Sequence, residues 1–181
     1  SSRRRRPAPR TWPQRSERGY RASVDSSAWP LHEGEGFRFR IPPGWRWRDS
    51  LVHFVAAKYE APVAADESFT PRVVLKVEPF PDGDTRAYLD LGLEKMTHVG
   101  RLYQSVDAEL GGHPTLEIDG AFPSHAPPYR SVRRAVVVEG VGYVIACDGP
   151  PDRWHEWVGV FRAVLSSFEF ATVPAARPES A

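Results

Sequence analysis

Cysteine is nearly missing from this 181-residue chain: Cys147 stands alone, so no intrachain disulfide can staple the fold. A lone thiol suits a reducing compartment, yet exported bacterial proteins without disulfides are common, and the compartment stays open. Asparagine does not occur, and the only lysines are Lys58, Lys76 and Lys95. Arginine therefore carries nearly all the positive charge, which reads as the residue bias of a GC-rich bacterial genome and not as a code for phosphate. No apolar run approaches the roughly 20 residues of a membrane helix. The histidines, His32, His53, His98, His113, His125 and His155, show no metal-ligand spacing, and there is neither a His-x-Glu-x-x-His pattern nor a Cys-x-x-Cys pair. A Gly-x-Ser-x-Gly elbow and a glycine-rich phosphate loop are also lacking. Asp148 follows Cys147, and an adjacent carboxylate raises a thiol pKa instead of activating the thiol. The carboxylates are scattered, with no acid–base pair. These absences close the common routes to catalysis, so no catalytic residue, metal or cofactor is expected.

What is abundant is aromatic. Six tryptophans and nine phenylalanines can each bury on the order of 150–250 Å², enough for one domain with a sizeable core. Charge is uneven. Residues 1–21 hold eight arginines against one glutamate, a net +7, so with a total of +1 the remainder carries −6. The basic stretch SSRRRRPAPRTWPQRSERGYRASVDSS is rich in Pro, Ser and Arg and poor in aliphatic residues. It cannot bury enough to offset chain entropy, so residues 1–28 are expected to be a disordered tether and 171–181 a disordered tail. The folded body is expected over 29–170. A Ser-Ser start raises the expectation that an upstream segment, a targeting sequence or a cloning remnant, has been removed.

FRFRIPPGWRWR alternates rings with arginines on both sides of Pro42-Pro43-Gly44. Rings stacking on bases with arginines on phosphates is one reading. Strict period-2 alternation favours a two-faced strand, a turn and a resumed strand, with Phe37, Phe39, Ile41, Trp45 and Trp47 pointing inward. LVHFVAAKYE and RVVLKVEPF read as further strands. DGDTRAYLDLGLEKMTHVG reads as a helix capped by Asp84 or Thr85, with Leu89, Leu93 and Met96 on one face. Two strands flank Gly111-Gly112, and Ala135–Val138 and Gly142–Cys147 form a hairpin about Glu139-Gly140. PDRWHEWVGVFRAVLSSFEF reads as a helix capped by Asp152, with Trp154, Trp157, Val158, Phe161, Val164 and Leu165 at helical spacing. This order gives an α+β fold with an antiparallel sheet.

Two stretches carry recognition chemistry. Arg3, Arg4, Arg5 and Arg6 could neutralise phosphates of lipid or nucleic acid, although a run of four reads more simply as a solvated spacer. FPSHAPPYR joins two strands through three prolines and sets His125, Tyr129 and Arg130 on a stiff surface segment, where partner contacts often lie.

GFRFRIPPGW, RVVLKV, the helix from Thr85, LGGHPTLEI, the hairpin RRAVVVEGVGYVIACDG and the closing helix ending in SSFEF occur in an order that resembles the superfamily of PsbP extrinsic proteins, Ran-binding Mog proteins and bacterial DcrB-type domains. The resemblance spans about Gly36 to Phe170 and rests on packing and turn motifs. It implies an antiparallel sheet flanked by helices on both faces, an α/β/α sandwich. It also implies a non-enzymatic protein-binding or assembly domain, the soluble part of an exported bacterial lipoprotein in the cell envelope. Under that reading the partner is a protein, an N-terminal anchor provides membrane association, and no specific nucleic acid is bound. A cytoplasmic Eag-type chaperone for a secreted effector is the alternative. A small-ligand domain with a pocket near Trp45, Trp47 and Tyr129 is the third.

Overall fold

The computed structural model describes residues 24–62 and 69–171. Among these described residues, ten strands and two helices follow in the order β1 (Leu31–Gly34), β2 (Phe37–Arg40), β3 (Arg46–Trp47), β4 (Val55–Glu60), β5 (Arg72–Pro79), α1 (Thr85–Val99), β6 (Arg101–Leu110), β7 (His113–Phe122), β8 (Tyr129–Val138), β9 (Val141–Gly149), α2 (Trp154–Ser166) and β10 (Glu169–Phe170). Seven strands form one antiparallel sheet, ordered β3-β4-β5-β9-β8-β7-β6, and β1-β2-β10 form a small second sheet. The basic arm Arg3–Arg6 lies outside the described residues.

The turns dictate much of this. Gly111 and Gly112, at φ 59° and 81°, reverse β6 into β7, a conformation that costs glycine nothing. Glu139 and Gly140 do the same between β8 and β9, at φ 51° and 75°. Asp84 caps α1 by accepting the Ala87 amide at 2.8 Å. The expected cap of α2 is different: Arg153 stands at the cap position, its side chain bonded to Glu156 and not to a helix amide, and Asp152 does not serve.

Pleating splits the core in two. Val73, Leu75, Val132, Val136, Ile145 and Cys147 point to the side where α2 delivers Trp154, Val158, Phe161, Val164 and Leu165. Ile118, Phe122 and Ala135 point to the other side, beneath Tyr88, Leu89 and Met96 of α1. Gly142 lies under Tyr88, where an added Cβ would sit 2.7 Å from the ring. The antiparallel α+β organisation is therefore as expected. Full flanking by helices is met only in part, because the structure is mostly sheet, with ten strands to two helices among the described residues.

The stretch around Pro42-Pro43-Gly44 is a mixed outcome. Phe37, Phe39 and Ile41 are buried as the alternation requires. β3 does not fold back on β2, however: β2 pairs with β1 and β10, while β3 pairs with β4. Trp45 is half-buried against Trp157 and Phe161, and Trp47 is 46% exposed. The expected inward position of Trp47 is thus corrected. The chain leaves one sheet and enters another at the turn, so the ring alternation does not keep its meaning across it.

Gly92 lies mid-helix in α1, and a Cβ added there would meet no atom within 4 Å. Gly92→Ala should therefore stabilise the fold by about 1 kcal/mol. Chemical denaturation with an unchanged m-value would show it.

Candidate functional site

The Phe122–Arg130 connection is built against an aromatic cluster. Tyr129 stacks on Phe122 at 4.7 Å and on Phe69 at 5.4 Å, and exposed His125 meets its ring edge-on at 5.2 Å. The Arg72 guanidinium lies 5.1 Å from the Phe69 ring and 5.4 Å from Tyr129, with its Nε donating to Asp148 at 2.9 Å. Burial, assisted by the Asp148 charge, raises the Tyr129 hydroxyl pKa. His125 and Tyr129 are therefore brought together. Arg130 is not with them. It turns to the α2 side, grips Asp119 with two bonds of 2.8 and 2.7 Å, and lies over the rings of Tyr103 and Trp154. An arginine so fixed orders the strand instead of reaching outward.

Cys147 and Glu117, two side chains able to do chemistry, are otherwise engaged. Cys147 is fully buried, its thiol pKa pushed up first by burial and then by the Asp148 charge. Buried Glu117 accepts from Arg134 and Arg162 at 2.8 Å each. Among the described residues, no three His, Cys, Asp or Glu side chains gather as a metal site. Trp45, Trp47 and Tyr129 do not share a pocket: Trp45 packs on α2, Trp47 on His32 and Tyr59, and Tyr129 on Phe69 and Phe122.

His32 sits amid Phe37, Phe39, Trp47 and Tyr59, with Nδ1 2.9 Å from the Tyr59 hydroxyl and Nε2 buried without a partner. Burial lowers its pKa, so as pH falls the unfolded chain takes up the proton first. The stability that neutral His32 contributes is present above about pH 6.5 and is lost as pH drops through the lower folded value. His32→Gln should flatten the fall in unfolding midpoint between about pH 7 and 5, the range bracketing the ordinary imidazole pKa.

A surface feature missed in the sequence is the β3–β4 connection. Leu51, Val52 and Phe54 are exposed there, Leu51 completely. His53, expected in a strand, lies in this exposed loop. The tip is ordered: the Ser50 hydroxyl accepts the Val52 amide, and the Phe54 carbonyl accepts the Val77 amide at 2.8 Å. Phe54 is held at φ 66°, a left-handed conformation costing a bulky residue about 1–2 kcal/mol. The register between Val55 and Ala57 then shifts by a bulge. Val55 pairs near Lys76, whereas Glu60, Arg72 and Asp148 align at the opposite end, toward Tyr129. The tip and the His125 loop thus occupy opposite ends of the sheet.

One pocket, of about 350 Å³, opens between α1 and the sheet. Leu89, Ile118, Ala135 and Val144 wall it, and Lys76, Lys95 and Arg133 bring charge to it.

No family model and no curated protein matches the chain by sequence. Solved structures match it in shape. CyanoP, the cyanobacterial PsbP of Synechocystis sp. PCC 6803, aligns with a TM-score of 0.62 at 16% identity, over 84% of this chain and 98% of its own. LpqN of Mycobacterium tuberculosis, involved in cell envelope biogenesis, gives 0.59 at 15% identity over 75% and 83%. The Saccharomyces cerevisiae Ran-binding protein Mog1p gives 0.57 at 11% identity over 79% and 96%. Identities this low speak to architecture alone, and in architecture the chain has the PsbP/Mog-like fold.

Proposed function

We propose that the protein is a non-catalytic interaction domain that docks a protein partner through the β3–β4 tip. The observation that carries this reading is the tip itself: Leu51, Val52 and Phe54 stand in solvent on an ordered loop, with Phe54 in a strained conformation. Exposed apolar side chains held at such a cost mark contact sites more often than chance exposure does. Trp47, where the chain enters this connection, is half-exposed with its indole N–H on Asp49 and offers a further ring with a polar edge. The fold relatives lend support, since Mog1p is a Ran-binding protein and LpqN is involved in cell envelope biogenesis.

The domain works in the cell envelope, with residues 1–28 as the tether from a lipid anchor and Arg3–Arg6 as a solvated spacer. A cytoplasmic N-terminus in the full gene would contradict that placement. His125 with Tyr129 forms a second, smaller contact at the far end of the sheet, and Arg130 supports it from within.

Photo-crosslinking tests the tip. A benzophenone side chain at Val52 should give one discrete protein adduct in cells of the source organism, and the same group at Arg86, exposed on α1, should give none. Equal labelling from both positions would contradict the reading.

A further inference from the structure

The pocket under α1 has a charge imbalance that packing does not explain. Its cations are Lys76 on β5, Lys95 on α1 and Arg133 on β8, and its single carboxylate is Glu78. Glu78 is already engaged, accepting the Tyr88 hydroxyl at 2.5 Å, and burial together with that carboxylate pushes the Tyr88 pKa far up. None of the three cations has a carboxylate partner among the described residues.

Arg133 is the most telling. It donates to the buried Ser131 hydroxyl at 2.9 Å and lies 5.2 Å from the Phe122 ring, yet its Nε–H is buried with no acceptor. A buried guanidinium donor left open costs free energy unless something accepts from it. The walls beside it are apolar: Leu89, Ile118, Ala135 and Val144. A volume of about 350 Å³ falls at the small end of ligand sites, roughly 300–1,000 Å³.

We infer that this pocket binds a small organic anion, a carboxylate on a compact apolar body, with Arg133 and the two lysines on the carboxylate and the apolar walls around the body. Phosphate alone would satisfy the cations but leave the walls wet. A neutral apolar molecule would fill the walls but leave the Arg133 Nε–H open. Only the combination answers both halves of the lining. The site is independent of the β3–β4 tip, since no tip residue lines it.

The test uses the full chain and three probes, 4-phenylbutyrate, indole-3-acetate and 1-naphthoate, followed by NMR at the amides of Gly92 and Ala135 and at the Arg133 Nε–H. At least one carboxylate should bind saturably and shift all three signals. The matched alcohol 4-phenylbutan-1-ol and inorganic phosphate should each bind at least about tenfold more weakly, as should carboxylate binding to Arg133→Gln, given the strength of charge-assisted bonds. Lys76→Gln with Lys95→Gln should weaken binding by a smaller factor. The unfolding midpoint of each variant, read in parallel, separates lost binding from lost folding. Equal binding of the alcohol or of phosphate, undiminished binding to folded Arg133→Gln, or no saturation by any carboxylate up to about 10 mM would overturn the inference.

Discussion

Replacing Glu117 with alanine should cost about 3–5 kcal/mol, because it strands buried positive charge. Glu117 is the hub of an ionic bracket: one carboxylate oxygen accepts from Arg134 Nε and Nη2 at 3.2 and 2.8 Å, and the other accepts from Arg162 Nε at 2.8 Å. Arg134 is only 12% exposed and also donates to the Glu109 carbonyl at 2.9 Å, so it cannot swing into water without breaking the strand edge. Arg162 belongs to α2, so the bracket also ties that helix to the sheet. Urea denaturation should show a lower midpoint with an unchanged slope. Arg162→Ala should cost far less, since that side chain is 40% exposed and leaves Glu117 its other partner. If Glu117→Ala and Arg162→Ala lost the same small amount, the bracket would not hold the helix.

Phe39→Ala should be comparably severe, about 3–5 kcal/mol for emptying a buried ring site. Phe39 is wholly inaccessible and packs on Phe37 at 6.2 Å, Phe168 at 6.3 Å and His32 at 5.1 Å. Its cluster joins the three-stranded sheet to α2. Trp47→Ala, eight positions along the same alternating stretch, should cost only about 1 kcal/mol, in line with a half-exposed site. The thermal midpoints of the two variants check the contrast directly. A Trp47 variant as damaging as the Phe39 variant would restore the inward reading of that indole.

That contrast shows where the sequence is readable. Phe37, Phe39 and Ile41 follow a period set by local backbone geometry, and so do Trp154, Val158, Phe161 and Leu165 on α2. The Glu139-Gly140 turn likewise fixes the β8–β9 register from a dipeptide. What local pattern cannot carry is the partner of each strand. β2 pairs with β10, more than a hundred residues away, and nothing in FRFRIPPGWRWR records that choice. LVHFV was legible as apolar but not as exposed, because a short apolar run without alternation fits a buried strand and a solvent tip equally well. Glu117 and Asp119 looked like scattered carboxylates. Their arginines, Arg134, Arg162 and Arg130, arrive from β8 and α2, so the pairs exist only after the sheet has formed. The pocket under α1 has the same origin, with Lys76, Lys95 and Arg133 drawn from three elements.

The functional reading depends most on the β3–β4 tip being kept for contact and not for folding. The deciding measurement is a triple variant, Leu51→Ser, Val52→Ser and Phe54→Asn, assayed for unfolding midpoint and for the Arg86-controlled adduct, with the crosslinker moved to Trp47 in both backgrounds. Stability should be unchanged or slightly raised, because the removed side chains are exposed and asparagine tolerates the left-handed conformation at position 54, while the adduct disappears. An adduct that persists in a well-folded triple variant, or a variant that unfolds, would contradict the account.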